Sequence, residues 1–355
     1  MIAMSAPHAT TALNRRELFL RAADCQPVPR MPVWMMRQAG RYLPEYRAIR
    51  QKHSFLEVCK TPELTAEVSL QPFRIVGVDA VIVFCDILIP AEAMGMPLDI
   101  GDGGPVLAEP IRDAAAIARL RDFDPEQETR YLCDALRLIR RELGPDVPLL
   151  GFAAAPWTLA CYMIEGRSKD GFPAAKQMLF AEPAALRNLL DVIARNTARY
   201  LQAQLDAGAT AVQLFDTWGG ELARAEYEAF ALPAVQQVIR EVKKKNSPII
   251  FYSRGTSHLL PLLARTGADV LSVDWRVDLA EARRTFGSGI ALQGNVDPCV
   301  LLGSHDAIRA AVRQAIEKTG GAGHILNLGH GILPNTPVEN AQLFVKTAQE
   351  SKIGE

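Results

Sequence analysis

Short apolar runs alternate with longer amphipathic stretches along most of this chain. Eight runs rich in Val, Ile, Leu or Phe occupy residues 32–36, 80–85, 148–153, 211–215, 248–252, 270–273, 290–292 and 324–328. Each is bounded by Gly, Pro or polar residues, and each is apolar nearly throughout rather than at alternate positions. Such runs fit strands buried on both faces of a parallel sheet. Helical spacing fills the intervals. In residues 184–208, Leu186, Leu189, Leu190, Ile193, Tyr200, Leu201 and Leu205 fall on one stripe. Near the start, Asn14 followed by Glu17 has the form of a capping box opening a helix to about Ala23.

The repeated strand–helix order predicts an α/β fold: a single (β/α)8 (TIM) barrel with an N-terminal helical extension, over residues 14–355, after a flexible N-terminus at 1–13. A doubly wound sheet is the alternative. Against it, neither a Gly-x-Gly-x-x-Gly nor a Gly-x-x-x-x-Gly-Lys motif follows any run. The chain is longer than the roughly 250 residues usual for such barrels. The excess is expected as loop insertions at 95–110 and 157–173.

Composition narrows the function. The chain of 355 residues is 49% hydrophobic with a formal net charge of -1. That balance gives no basic stripe for nucleic acid, so any anion site must be local. The run Lys243, Lys244, Lys245 sits at an expected helix end, where it complements the dipole. Six cysteines without a Cys-x-x-Cys pair argue against a zinc ribbon or dithiol motif and fit a reducing compartment. No apolar segment approaches the roughly 20 residues of a membrane span, and residues 1–13 lack the apolar core of a signal peptide. A soluble cytoplasmic protein is expected.

In a barrel, chemistry collects where strands end. The first run leads into Arg37 and Arg41, with Gly40 between them. Two guanidiniums so close suit an anion laid across them, because each offers a planar fork to carboxylate or phosphate. The second run leads into Asp86, an acid embedded in an apolar stretch, costly to bury unless paired. Other strand ends supply Asp216 and Thr217, Arg254, Asp274, and His330 between Gly329 and Gly331. No run leads into Lys, so a Schiff base lacks its nucleophile. The histidines are too scattered for a His-rich metal centre.

Residues 35–47 (Met-Met-Arg-Gln-Ala-Gly-Arg-Tyr-Leu-Pro-Glu-Tyr-Arg) resemble the signature of the uroporphyrinogen decarboxylase family. So do Gly151-Phe152-Ala153 with residues 155–160, Tyr162 to Gly166, residues 292–298, and residues 327–334 around Gly329-His330-Gly331. The resemblance implies a (β/α)8 barrel, usually a homodimer. It also implies removal of the four acetate carboxyls of uroporphyrinogen III to give coproporphyrinogen III, in haem and chlorophyll synthesis, with neither metal nor organic cofactor. Position by position, it implies Asp86, Arg37, Tyr162 and His330 as catalytic. Asp86 would accept the pyrrole N–H groups and offset developing positive charge. Arg37 and Arg41 would bind carboxylates, with Arg37 also a candidate proton donor. Gln38, Ala39 and Gly40 would line the same loop, with Phe215 against the macrocycle. Tyr162, Thr217 and His330 would position the side chains being cleaved. Thr217 stands where many relatives carry Ser, and Arg254 where Lys is common; hydroxyl and charge are kept.

Three other readings stay open at this point. One is a metal-dependent barrel enzyme using Asp86, Asp216 and Asp274 as oxygen ligands. The second is a cobalamin- and zinc-linked methyltransferase, disfavoured because Cys299 has no nearby His-x-Cys partner. The last is a tetrapyrrole carrier without turnover.

Overall fold

Parallel strands run through the chain in sequence order: β1 (Val81–Ile82), β4 (Leu149–Ala154), β5 (Ala211–Asp216), β6 (Ile249–Ser253), β7 (Val270–Val273), β8 (Ala291–Val296) and β9 (His324–Leu328). They form one curled seven-stranded sheet among the described residues, each strand parallel to the next. Between β1 and β4 an antiparallel hairpin stands apart, β2 (Leu98–Gly101) with β3 (Gly104–Leu107). The structure is a computed structural model describing residues 13–101, 103–243 and 246–353. Apart from Leu13, the segment expected to be flexible lies outside those residues, as do Lys244 and Lys245 of the basic run.

Residues 32–36 lie between the two ends of the sheet. Val33 bridges Leu326 in parallel, and Leu326 N donates to the Pro32 carbonyl at 2.9 Å. On the other side Asp79 N donates to the Val33 carbonyl at 2.8 Å. The expected first strand is thus a single bridge, a correction with a local cause. Pro32 has no N–H to give, and side-chain amides take over the ladder bonds. Gln38 Oε1 accepts from Met35 N and Gln38 Nε2 donates to the Ala80 carbonyl, while Asn327 Oδ1 accepts from Met36 N.

A helix covers each strand-to-strand step: Pro62–Ile75 before β1, then Arg130–Leu143, Pro183–Asp206, Leu232–Glu241, Leu260–Leu263, Leu279–Phe286 and His305–Thr319, with Val338–Glu350 after β9. On Pro183–Asp206 the expected stripe faces inward, fully buried except for half-buried Leu205. The Asn14–Glu17 capping box opens the helix Arg15–Ala23 as expected. Inside the sheet, Trp34, Gln213, Ser272 and Gln293 make a buried polar layer centred on the Gln293 amide.

Two further expectations are corrected. The run at 80–85 pairs only at Val81 and Ile82, and Phe84 N turns instead to Ser69 Oγ at 2.8 Å. Residues 157–173 are not simply a loop, because Pro156–Glu165 is a helix. It is buried on nearly every side, so it shows no amphipathic period. The insertion at 95–110 holds the β2–β3 hairpin. The cysteines are free, with Cys59, Cys133 and Cys161 buried. Among the described residues no helix is long and apolar enough to cross a membrane.

Candidate active site

Because β1 leaves the sheet after two paired residues, Asp86 is carried away from the ladder into a half-buried position at the end of the sheet. One carboxylate oxygen accepts from Leu88 N at 2.8 Å. The other has no hydrogen bond among the described residues. Burial raises this carboxyl above the ordinary Asp range; the Leu88 N–H and the charge of Arg37 pull it down, and burial wins.

Arg37 adopts a left-handed backbone, φ 59°, uncommon for a residue with a side chain. The turn is pinned by Gln38, whose amide is spent on Met35 and Ala80. A Cβ on Gly40 would stand 2.8 Å from the Arg37 carbonyl, so only glycine lets the chain fold back there. Ala39 and Gly40 are half-buried on this turn. The Arg37 side chain crosses Gly331, and its charge reaches Asp86, Tyr162, Tyr252 and His330. Neither Arg37 nor Arg41 forms an ion pair among the described residues, and both are exposed. Arg47 instead braces the loop by donating to the Arg41 and Tyr42 carbonyls at 2.7 and 3.1 Å.

An aromatic wall faces this loop. Phe215 lies edge-on to Phe152 and to Tyr252, at centroid distances of 5.6 and 5.8 Å. Tyr252 in turn stacks on His330. Across the mouth, Tyr162 and Phe172 contact Trp218, with the Arg254 guanidinium 5.8 Å from the Trp218 ring centroid. Burial raises the Tyr162 phenol, Asp86 adds to the rise, and Arg37 opposes it. Burial and the guanidiniums of Arg37, Arg254 and Arg276 push His330 down to about 3, so its imidazole is neutral. Thr217 is half-buried beside Phe215, its hydroxyl unbonded among the described residues.

The other acids at strand ends serve the framework. Asp274 is buried and accepts from Gly255 N, Arg276 N and Arg276 Nη1. Asp216 is buried under the Thr217–Gly220 loop, accepting from Thr158 Oγ1 at 2.8 Å and Tyr227 OH at 3.4 Å. Burial pushes it up to about 7. Asp86, Asp216 and Asp274 do not converge, and no group of three His, Cys, Asp or Glu among the described residues is arranged to hold a metal ion.

The structure therefore brings Asp86, Tyr162 and His330 within electrostatic reach of Arg37, with Phe215 and Thr217 on the adjoining wall. Gln38 joins the site through its backbone alone, since its side chain is buried and occupied. Sequence reasoning missed Tyr252 and Trp218. The available signal was a Tyr in an otherwise apolar strand and a Trp beside two glycines, Gly219 and Gly220.

Residues 14–351 match the family model described as Uroporphyrinogen decarboxylase (URO-D). The uroporphyrinogen decarboxylase of Gloeobacter violaceus is 48% identical over 94% of this chain and 97% of its own length. The chain belongs to the uroporphyrinogen decarboxylase family. The relative from Trichlorobacter lovleyi is 47% identical over the same shares of the two chains. Among solved structures, a methyltransferase from Methanosarcina mazei superposes with TM-score 0.80, covering 95% of this chain and 99% of its own. A B12-independent methionine synthase from Shewanella sp. W3-18-1 superposes with TM-score 0.58, covering 91% and 98%. At 24% and 9% identity these two share the fold of this decarboxylase family and nothing further follows from them.

Proposed function

We propose that this chain is a uroporphyrinogen decarboxylase that converts the four acetate side chains of uroporphyrinogen III to methyls, giving coproporphyrinogen III. The observation that carries the site reading is a pairing of opposites: Asp86, with one carboxylate oxygen unbonded among the described residues, lies within reach of the Arg37 charge, and the guanidiniums of the Arg37 loop, Arg37 and Arg41, form no ion pair among those residues. A ligand with an N–H centre and a rim of carboxylates matches that distribution of charge. Asp86 accepts the pyrrole N–H groups. Arg37 and Arg41 grip carboxylates at the rim, with the turn of Gln38, Ala39 and Gly40 beneath them. The macrocycle rests on Phe215, and Tyr162, Thr217 and His330 border the side chains that react.

Decarboxylation needs somewhere for the electron pair of the breaking C–C bond to go. Protonating a ring carbon makes the pyrrole an iminium-like cation, which takes that pair as carbon dioxide leaves. The methylene carbon then gains a proton to become methyl, and the ring proton is released. The pyrrole is its own electron sink, and Asp86 stabilises the cation. Arg37 is a candidate proton donor. We read the fold as a (β/α)8 barrel in which residues 32–36 form a worn first strand, acting as a cytoplasmic homodimer.

The test is anaerobic incubation of purified protein with uroporphyrinogen. Release of carbon dioxide and appearance of coproporphyrinogen are expected, unchanged by chelator. No carbon dioxide with bound tetrapyrrole would make the chain a carrier, and loss of turnover in chelator would favour the metal-dependent reading.

A further inference from the structure

Tyr252 lies near the end of β6 and has no part in the reading above. Its ring is nearly parallel to His330, with an interplanar angle of 6° and centroids 6.1 Å apart. The hydroxyl stands 2.9 Å from the Gly329 carbonyl oxygen and 3.1 Å from His330 Nδ1. A phenol has one proton, and a carbonyl oxygen can only accept. That proton therefore goes to Gly329, and the contact with Nδ1 is an N–H donated to the phenol oxygen. A neutral imidazole carries one N–H, so Nε2 is left with a lone pair. Nε2 has no hydrogen bond among the described residues and is not an enclosed atom.

We infer that Tyr252 is the positioning residue for His330: it fixes the ring plane and the Nδ1–H tautomer, so that Nε2 presents an acceptor to the substrate. The inference rests on reading the residues around Arg37 and His330 as the uroporphyrinogen site. An acceptor pairs with a hydrogen-bond donor and repels a bare carboxylate. His330 thus meets an N–H or a protonated carboxyl, while Arg37 and Arg41, without an ion pair among the described residues, take the ionised acids. The side chain sorts donors from acceptors on the ligand, which a cationic histidine would not do.

The experiment is nitrogen-15 NMR of protein labelled in its histidine rings, at pH 7.5. His330 is assigned by the signal lost in His330→Gln. His324 supplies an internal reference of opposite tautomer, because its Nε2 lies 2.7 Å from the Gly294 carbonyl and must carry the proton. In the wild type, His330 is expected to show a pyridine-like Nε2, the reverse of His324. In Tyr252→Phe that pattern shifts towards Nε2–H, and kcat falls about 10-fold with little change in KM. If wild-type His330 shows the His324 pattern, or if Tyr252→Phe leaves the pattern unchanged, the inference is overturned. Should Tyr252→Phe fail to fold, the wild-type spectrum alone decides. The effect of His330→Gln on KM between pH 6 and 9 separates the two donors: constant for an N–H, fading as pH rises for a carboxyl. Absence of turnover in the wild type would sink the functional reading and leave the tautomer result intact.

Discussion

The stem of Arg37 rests across Gly331: a methyl group there would stand 2.3 Å from Arg37 Cδ and 2.8 Å from Cγ. The glycine is a slot for the arginine, and the two ends of the chain meet in it. Gly331→Ala should leave the fold intact, since the arginine can swing out to solvent. A displaced guanidinium should lower kcat/KM by about 10²-fold, the scale seen for an ångström of misplacement. Steady-state kinetics beside a melting curve would check this. Wild-type kinetics in the variant would show that Arg37 does not act from this position.

Asp86 sets function against stability. Its carboxyl is raised by burial, so folding disfavours the charged form relative to the unfolded chain, although the reaction uses that charge. Its contribution to stability is full below the unfolded value of 3.8 and is lost as pH rises through the raised folded value. Asp86→Asn should therefore be the more stable protein at pH 8, with the gap closing towards pH 4. Turnover should fall at least about 10²-fold, since the amide cannot offset a cation. Urea unfolding at both pH values, with an activity assay, measures both arms. A variant less stable than wild type at pH 8 would contradict the burial argument.

Thr158 joins the framework to the mouth. Its hydroxyl donates to Asp216 at 2.8 Å and accepts from Trp218 N at 3.1 Å. Thr158→Val keeps the shape and removes both bonds. The loss should be about 1–3 kcal/mol, the cost of leaving buried polar groups unpaired. It should also loosen Trp218, on which Tyr162 and Arg254 lean, and so raise KM. Denaturant unfolding and kinetics would separate the two effects.

Two histidines, His324 buried and His330 half-buried, contribute acid sensitivity to the fold. His324 is pushed down to about 4 and His330 to about 3, each by burial first. Both are depressed below the ordinary 6.5, so their contribution is full above 6.5 and is lost as pH falls through the folded values. Each adds a slope of about 1 kcal/mol per pH unit between pH 6 and 5. Asp216, raised from 3.8 to about 7, runs the other way over this range and cancels roughly one of them. Asp86, raised as well, opposes them in the same sense, so His324→Gln should lower the slope of stability against pH by about that one slope. Unfolding curves at pH 5, 6 and 7 would show it, and an unchanged slope would mean that His324 titrates normally in the fold.

Much of the architecture was legible in the residue pattern. The runs at 148–153, 211–215, 248–252, 270–273 and 324–328 became β4, β5, β6, β7 and β9 with shifts of at most a residue. Strands buried on both faces must be apolar throughout, and that is a property of the run itself. The Asn14–Glu17 cap is equally local. The runs at 32–36 and 80–85 look the same in sequence, yet they barely pair. Their partners were decided by Gln38, Asn327 and Ser69, polar side chains whose reach depends on tertiary position. The helix Pro156–Glu165 was hidden for the opposite reason, because a helix buried all round has no polar face to mark its period.

The site divides along the same line. The chain alone identified which residues have suitable chemistry: Arg37 and Arg41 around a glycine turn, Asp86 in an apolar stretch, and His330 between glycines. Residue type and local spacing suffice for that. Whether a charge is paired, which nitrogen of an imidazole holds the proton, and which acid is held by its neighbours are questions of contacts between distant segments. Among the described residues, folding left Arg37 and Arg41 without an ion pair and one oxygen of Asp86 without a hydrogen bond, committed Asp216 and Asp274 to the framework, and set Tyr252 beside His330. Desolvation and hydrogen bonding act only once those segments meet, so the chemical state of the site belongs to the tertiary structure.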